Sequence, residues 1–213
     1  MDTIKSKYHE TLAATVIKNL EKRQMEGYYC PTVEDAEKLA FSFLKDGQTV
    51  SFGGSMTLEE TGMLTALRHD PSIHLIDRST AKTPDETKKM YHDPLSSDVY
   101  FMSTNAITTG GELVNIDGTG NRVAALIYGP ETVVILAGMN KIAANVDEAL
   151  SRVHNVATAQ NCIRLDKKTP CAITGACADC LSPDCICNQV VITRRSGIKG
   201  RIKVLLIGES FGY

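Results

Sequence analysis

Thr49-Val50-Ser51-Phe52-Gly53-Gly54-Ser55-Met56-Thr57-Leu58-Glu59-Glu60 is the stretch from which the fold is read. Four residues that suit a pleated strand run into two glycines, then into Ser55 and Thr57, then into a helical pattern from about Leu58 to Arg68. A strand, a tight turn and a helix in that order make half of a βαβ unit. Glycines let the backbone turn sharply and approach a ligand, and the free N–H groups at a helix start favour an anion. The same residues also fit a plain strand-to-helix turn with Ser55 or Thr57 as the N-cap. No Gly-Lys-Ser/Thr follows, so this is not a P-loop, and no GxSxG surrounds Ser55.

Outward from this turn the pattern repeats. Ile73 to Asp77, Val99 to Met102, Leu113 to Ile116, Thr132 to Leu136, Val190 to Thr193 and Lys203 to Ile207 read as strands. Thr83-Pro84-Asp85-Glu86 opens a helix, and Val146 to Ile163 is another. Runs such as Val133-Val134-Ile135-Leu136 and Val204-Leu205-Leu206-Ile207 are apolar throughout, as strands covered on both faces are. The expected class is α/β, a mostly parallel sheet flanked by helices. Before it, residues 1–46 read as an N-terminal helical segment. Ile4, Tyr8, Leu12, Val16 and Leu20 form one stripe that Gly27 ends. Thr32 caps a second helix, with Glu34 and Asp35 in its first turn and Asp46-Gly47 at its close. Residues 47–213 are read as the α/β domain, with a cysteine-rich loop at 170–188.

The chain has 213 residues and a formal net charge of -2, from 25 acidic and 23 basic residues. That balance gives no footprint for nucleic acid or an anionic membrane. No apolar run is long enough to span a bilayer, and the polar N-terminus does not fit a signal peptide. A cytoplasmic address is expected. The histidines are scattered, with no ligand spacing.

Two further segments carry candidate chemistry. From Thr104 to Arg122 the chain is dense in small and polar residues, among them Asn105, Asn115, Asp117, Gly118, Asn121 and Arg122. Gly118-Thr119-Gly120 follows a strand as a dinucleotide fingerprint would, but Val123 stands where the third glycine belongs. Arg122 suits two-point recognition of a carboxylate or phosphate. Asp117-Gly118 also fits a hairpin turn, which accounts for the glycines but not for the asparagines and arginine together. Both glycine-rich turns follow strands, so both should emerge at the carboxyl edge of the sheet, where open parallel sheets bind ligands.

Five of the seven cysteines, Cys171, Cys177, Cys180, Cys185 and Cys187, fall within seventeen residues. In a reducing compartment such crowding points to metal ligation rather than disulfides. Cys171, Cys177, Cys180 and Cys187, with Cys185 as an alternative to Cys187, supply four thiolates for a [4Fe–4S] cluster or a tetrahedral zinc. The single CxxC with flanking cysteines resembles the iron–sulfur loop of certain DNA-repair glycosylases, which favours iron–sulfur. Cys30 and Cys162 read as core residues.

In Ser51 to Gly62, Ser103 to Arg122 and Val134 to Ile142 the sequence resembles the lactate-utilisation (LUD) domain family. The order and spacing match over nearly the whole chain. The resemblance implies a fold like that of the ribose-5-phosphate isomerase, glucosamine-6-phosphate deaminase and CoA-transferase group. It implies that Gly53, Gly54, Ser55 and Thr57 line an anion end. Glu59, Asn105, Asp117, Asn121 and Arg122 would surround the rest of a small anionic metabolite, with Glu59 or Asp117 the candidate general base. The implied role is a subunit or accessory in lactate or 2-hydroxy-acid oxidation, beside iron–sulfur redox subunits and as a homo-oligomer. A stand-alone sugar-phosphate or acyl-CoA enzyme, or a non-catalytic metabolite sensor, is the alternative.

Overall fold

The structure, a computed structural model, describes residues 3–213. Helix α1 (Thr3–Lys22) buries Ala13, Val16 and Leu20, while Ile4 and Tyr8 at its other end stay exposed. The chain then turns at Gln24, with φ 61, into strand β1 (Glu26–Cys30). Gly27 therefore lies inside a strand and does not end α1. A Cβ there would stand 3.0 Å from Ile17 Cγ1 and Leu20 Cδ1, so the glycine lets α1 lie close on the strand. Helix α2 (Val33–Phe41) begins as expected, with Thr32 Oγ1 accepting from the Asp35 N–H. It ends at Phe41, short of Asp46-Gly47, and Phe43 and Leu44 pack on the core from the following turn.

Strand β2 (Thr49–Phe52) leads to α3 (Met56–Glu60) and α4 (Met63–His69). These are two short helices rather than one, because Gly62 between them takes φ 73. Strand β3 (His74–Ile76), helix α5 (Pro84–His92) with its Thr83/Glu86 capping box, and β4 (Val99–Met102) follow. Next come β5 (Ala106–Thr108), β6 (Leu113–Asp117), α6 (Asn121–Ile127), β7 (Thr132–Gly138) and β8 (Ile142–Ala143). Helix α7 (Val146–Arg152) runs through a π-helical segment, Val153–Thr158, into α8 (Ala159–Arg164). The chain closes with α9 (Pro170–Thr174), β9 (Gln189–Thr193) and β10 (Ile202–Ile207).

Six strands form an all-parallel sheet in the order β1-β10-β7-β4-β2-β3. The apolar runs alternate between its two faces. Val133, Ile135 and Ala137 of β7 join Val204 and Leu206 of β10 in one core with α1 and α6. Val134, Leu136, Leu205 and Ile207 face the other way, towards α2 and the α3–α4 pair. Full burial on both faces is why these runs lack polar alternation. β1 occupies one edge of this sheet, so residues 1–46 contribute a strand as well as helices. A second sheet, β8-β5-β6-β9, is mixed: β5 and β8 are parallel, and β6 is antiparallel to both β5 and β9. Arg201, buried just before β10, donates to the carbonyls of Ala125, Leu126 and Pro130 and so caps the open end of α6.

From β2 the chain passes outward to β3, then returns to β4 on the other side of β2. The order reverses between β2 and β4, and a crevice opens beyond the carboxyl ends of such strands. Among the described residues no helix is long and apolar enough to cross a membrane.

Candidate functional site

The turn between β6 and α6 is built on Asp117. Its Oδ1 accepts from the N–H groups of Thr119 (3.1 Å) and Gly120 (2.7 Å), and its backbone carbonyl accepts from Asn188 N–H (3.0 Å). This is an Asx-type turn that delivers the chain into a helix, not a hairpin. Gly120, at φ 92, stands at the N-cap of α6.

Arg122, in the first turn of α6, is the hub of the region. Its Nε donates to Asp117 Oδ2 (3.2 Å). Its Nη1 donates to the Ser103 carbonyl (3.2 Å) and Asn115 Oδ1 (2.7 Å). Its Nη2 donates to Asn105 Oδ1 (3.0 Å) and the Ile116 carbonyl (2.9 Å). A guanidinium has five N–H groups, and all of these are matched. Arg122 was expected to grip a ligand carboxylate or phosphate with two N–H groups. It instead ties together the end of β4, the start of β5, strand β6 and the α6 turn. Asn105 Oδ1 also accepts from Ile116 N–H, and Asn115 Oδ1 from Asn105 N–H. The conspicuous polar residues of this segment thus serve one another. Asn115 Nδ2 remains buried without a partner among the described residues.

The glycine pair after β2 makes room for two arginines. A Cβ on Gly53 would stand 2.8 Å from the Tyr100 hydroxyl oxygen and 2.9 Å from Arg122 Cγ. A Cβ on Gly54 would stand 2.2 Å from an Arg78 guanidinium nitrogen. Ser55 caps α3, its Oγ accepting from Leu58 N–H (3.3 Å), and Thr57 Oγ1 donates to the Phe211 carbonyl (3.3 Å). Burial pushes the Tyr100 phenol up to about 12, against the opposing pull of Arg122 and Arg78.

Around these turns lies a cleft of about 450 Å³. Gly54, Ser55, Thr57, Asn105, Asp117, Gly118, Asn121 and Arg122 line it, so the two glycine-rich turns share one hollow at the order reversal. Gly53 and Asn115 lie behind that lining. Glu59 sits outside it, on the exposed face of α3. Both oxygens of Asp117 are occupied in holding the turn and Arg122.

Several lining residues were not picked out from the sequence. Lys141 follows β7 and is 4% exposed. Its Nζ donates to Ser103 Oγ (3.2 Å) and the Thr104 carbonyl (3.3 Å). Burial, reinforced by Arg152 and Arg122, pulls the Lys141 amine down to about 7. Arg78 reaches the cleft over Gly54, and its side chain makes no hydrogen bond or ion pair among the described residues. Arg164 and Lys167 line the far wall, with Ala157, Thr158 and Asn161 from the π segment and α8. The lining thus carries four arginine and lysine side chains, Arg78, Arg122, Arg164 and Lys167, besides the buried amine of Lys141, against one acidic side chain, Asp117. A concave, partly desolvated surface with that excess of positive charge favours a small anion. The sequence held one signal for Lys141, a lysine three residues after an apolar strand.

The cysteine segment forms another wall of the cleft. Cys185 and Ile186 line it, Ile186 packs on Gly118, and Asn188 Nδ2 donates to the Gly118 carbonyl (2.8 Å). Cys162, Cys171, Cys185 and Cys187 lie near one another, while Cys177 has other neighbours. Cys171 sits with Cys162 in a small apolar cluster, 3.3 Å from Thr169 Oγ1. Cys177 Sγ lies 3.7 Å from His154 Nδ1. Cys180 makes no hydrogen bond among the described residues, and Cys187 N–H donates to Cys185 Sγ (3.3 Å). Burial, with Cys185 and Cys162 nearby, pushes the Cys187 thiol up to about 12. Among the described residues no three His, Cys, Asp or Glu side chains are placed to hold a metal ion together.

A family model described as the LUD domain matches residues 13–207. Among solved structures, the chain is similar to a DUF162 family protein from Deinococcus radiodurans. The TM-score is 0.53 at 10% identity, covering 93% of this chain and 98% of that one. It matches a ribose 5-phosphate isomerase A from Methanocaldococcus jannaschii at TM-score 0.34 and 20% identity, over 53% of this chain and 54% of that one. An eIF2B delta from Chaetomium thermophilum matches at TM-score 0.35 and 19% identity, over 52% and 48%. No curated protein matches the chain in sequence.

Proposed function

This chain belongs to the LUD domain family, and on that premise we propose that it binds a small carboxylate-bearing metabolite in the cleft. The class is a 2-hydroxy acid such as lactate, and the chain acts as a subunit or accessory of the system that oxidises it. The observation that carries this reading is the charge of the lining: Arg78, Arg122, Arg164 and Lys167 against one acidic side chain, Asp117, in a cleft of about 450 Å³. Arg78 is the primary anchor, because its guanidinium has no protein partner among the described residues and suits a carboxylate in two-point fashion. Lys141 supplies a second polar contact from the buried floor. Arg122 and Asp117 hold the turns that shape the hollow and do not grip the ligand.

Calorimetric titration with L-lactate, glycolate and the uncharged analogue lactamide tests the reading. Saturable binding of the acids that weakens with added salt, and none of lactamide, is the expected outcome. Equal heats for lactate and lactamide, or no binding of any carboxylate, would refute it.

A further inference from the structure

Lys141 has a hydrogen-bond inventory suited to a neutral amine. A neutral amine carries two N–H groups and one lone pair, whereas an ammonium carries three N–H groups. Lys141 Nζ finds two acceptors, Ser103 Oγ and the Thr104 carbonyl. Among the described residues it makes no ion pair, although it is buried and lines the cleft. The charged groups facing it are Arg152 from α7, Arg122 from α6 and Glu60 from α3. Arg152 is itself fixed, donating to the carbonyls of Asn140 (3.0 Å) and Asn105 (2.7 Å). Two guanidinium groups and burial both disfavour a third positive charge at this place. A buried amine beside other cations is the arrangement that turns lysine into a nucleophile for carbonyl carbon.

We infer that Lys141 captures a 2-oxo acid as a reversible imine in the cleft. This rests on the reading of the cleft as a carboxylate site, since the carboxylate would hold the carbonyl beside the amine. A 2-oxo acid is also the two-electron oxidation product of a 2-hydroxy acid. In the step, the Nζ lone pair attacks the carbonyl carbon and forms a C–N bond while the carbonyl π pair moves to oxygen. The nitrogen loses one proton and the oxygen gains one, giving a carbinolamine. The C–O bond then breaks, the oxygen leaves as water with a second proton from nitrogen, and a C=N bond remains. Amine and ketone give imine and water, with no oxidant or reductant.

Incubation of the whole protein with pyruvate and sodium cyanoborohydride, followed by peptide mass mapping, tests this. The expected result is one reduced pyruvate adduct concentrated on Lys141, absent in Lys141→Arg. Its rate should rise as pH passes through about 7 and then level, following Lys141. The mapping of the wild-type chain needs no variant, so a misfolded Lys141→Arg leaves the test intact. Pyruvate that binds by calorimetry but leaves no adduct on Lys141 would overturn the imine and spare the carboxylate site. Neither binding nor adduct would overturn both. Adducts spread over exposed lysines without enrichment at Lys141 would also overturn the imine.

Discussion

The turn from Asp117 to Arg122 and the segment from Cys171 to Cys187 look alike as sequence. Both are loops dense in residues that cores seldom need. They fold in opposite ways. In the first, every N–H of Arg122 meets an acceptor supplied by the chain itself, drawn from β4, β5, β6 and the turn. In the second, no such hub exists among the described residues: one thiol meets Thr169, one His154 and one a backbone N–H. A guanidinium and its acceptors attract one another directly, so they organise a loop without help. Thiols attract one another only weakly, and thiolates repel, so a thiolate set is organised by its ion. Residue spacing therefore announces a polar network and a ligand set in the same terms, while only the former assembles from the chain's own interactions.

Arg122→Ala should produce the largest effect. It leaves Asp117 (8% exposed) and Asn115 (fully buried) without their charge partner, a loss of about 3–5 kcal/mol. Thermal unfolding should fall by on the order of 10 °C. Arg122→Lys keeps the charge but cannot reach all five acceptors, and should cost about 2 kcal/mol. A denaturant midpoint unchanged in either variant would break the contrast drawn above.

Lys141→Met sharpens it from within the cleft. The folded chain holds this amine at about 7, and the unfolded chain at its ordinary 10.5. The unfolded state binds more protons between those values, so stability should rise with pH across that window. The penalty is full below about 7 and gone above 10.5. Lys141→Met should therefore be more stable than wild type at pH 7, with the difference shrinking as pH rises. A pH-independent difference in unfolding free energy would contradict the buried amine beside two guanidinium groups.

Arg78→Ala should leave stability within about 0.5 kcal/mol, because this side chain is exposed and has no hydrogen bond or ion pair among the described residues. Lactate affinity should drop by about tenfold, near 1.4 kcal/mol, in a calorimetric titration. Cys180→Ala should have the smallest effect, leaving both stability and lactate binding where they were. If anaerobically purified protein contains stoichiometric iron and sulfide, or zinc, that Cys180→Ala loses, the segment gathers its thiols around an ion, and the contrast becomes one between self-organised and ion-organised loops.

Much of the fold was legible in the sequence. The two-sided burial of β7 and β10 shows as unbroken apolar runs, and Thr32 and Thr83 cap the helices that their sequence context announces. β1 was hidden because Gly27 imitates a helix terminator and Glu26, Tyr28 and Tyr29 are only half-buried at a sheet edge. The second sheet was hidden because β5 and β8 are very short and β9, at its edge, is largely exposed. In the cleft, the residue types around Asp117 were legible, but their partners were not. Five acceptors for one arginine come from places 5 to 19 residues away, and no local pattern encodes which group each N–H meets. Arg78 escaped notice because its importance comes from passing over Gly54, a contact between segments.

The central claim is a division of labour in one cleft: Arg122 braces it, while Arg78 and Lys141 meet the ligand. A crystal structure of the protein with L-lactate tests this most directly. The expected result is a carboxylate against the Arg78 guanidinium or the Lys141 amine, with Arg122 still bonded to Asp117, Asn105, Asn115 and the two carbonyls. Lactate held by an Arg122 that has left those acceptors, or bound away from the cleft, would contradict it.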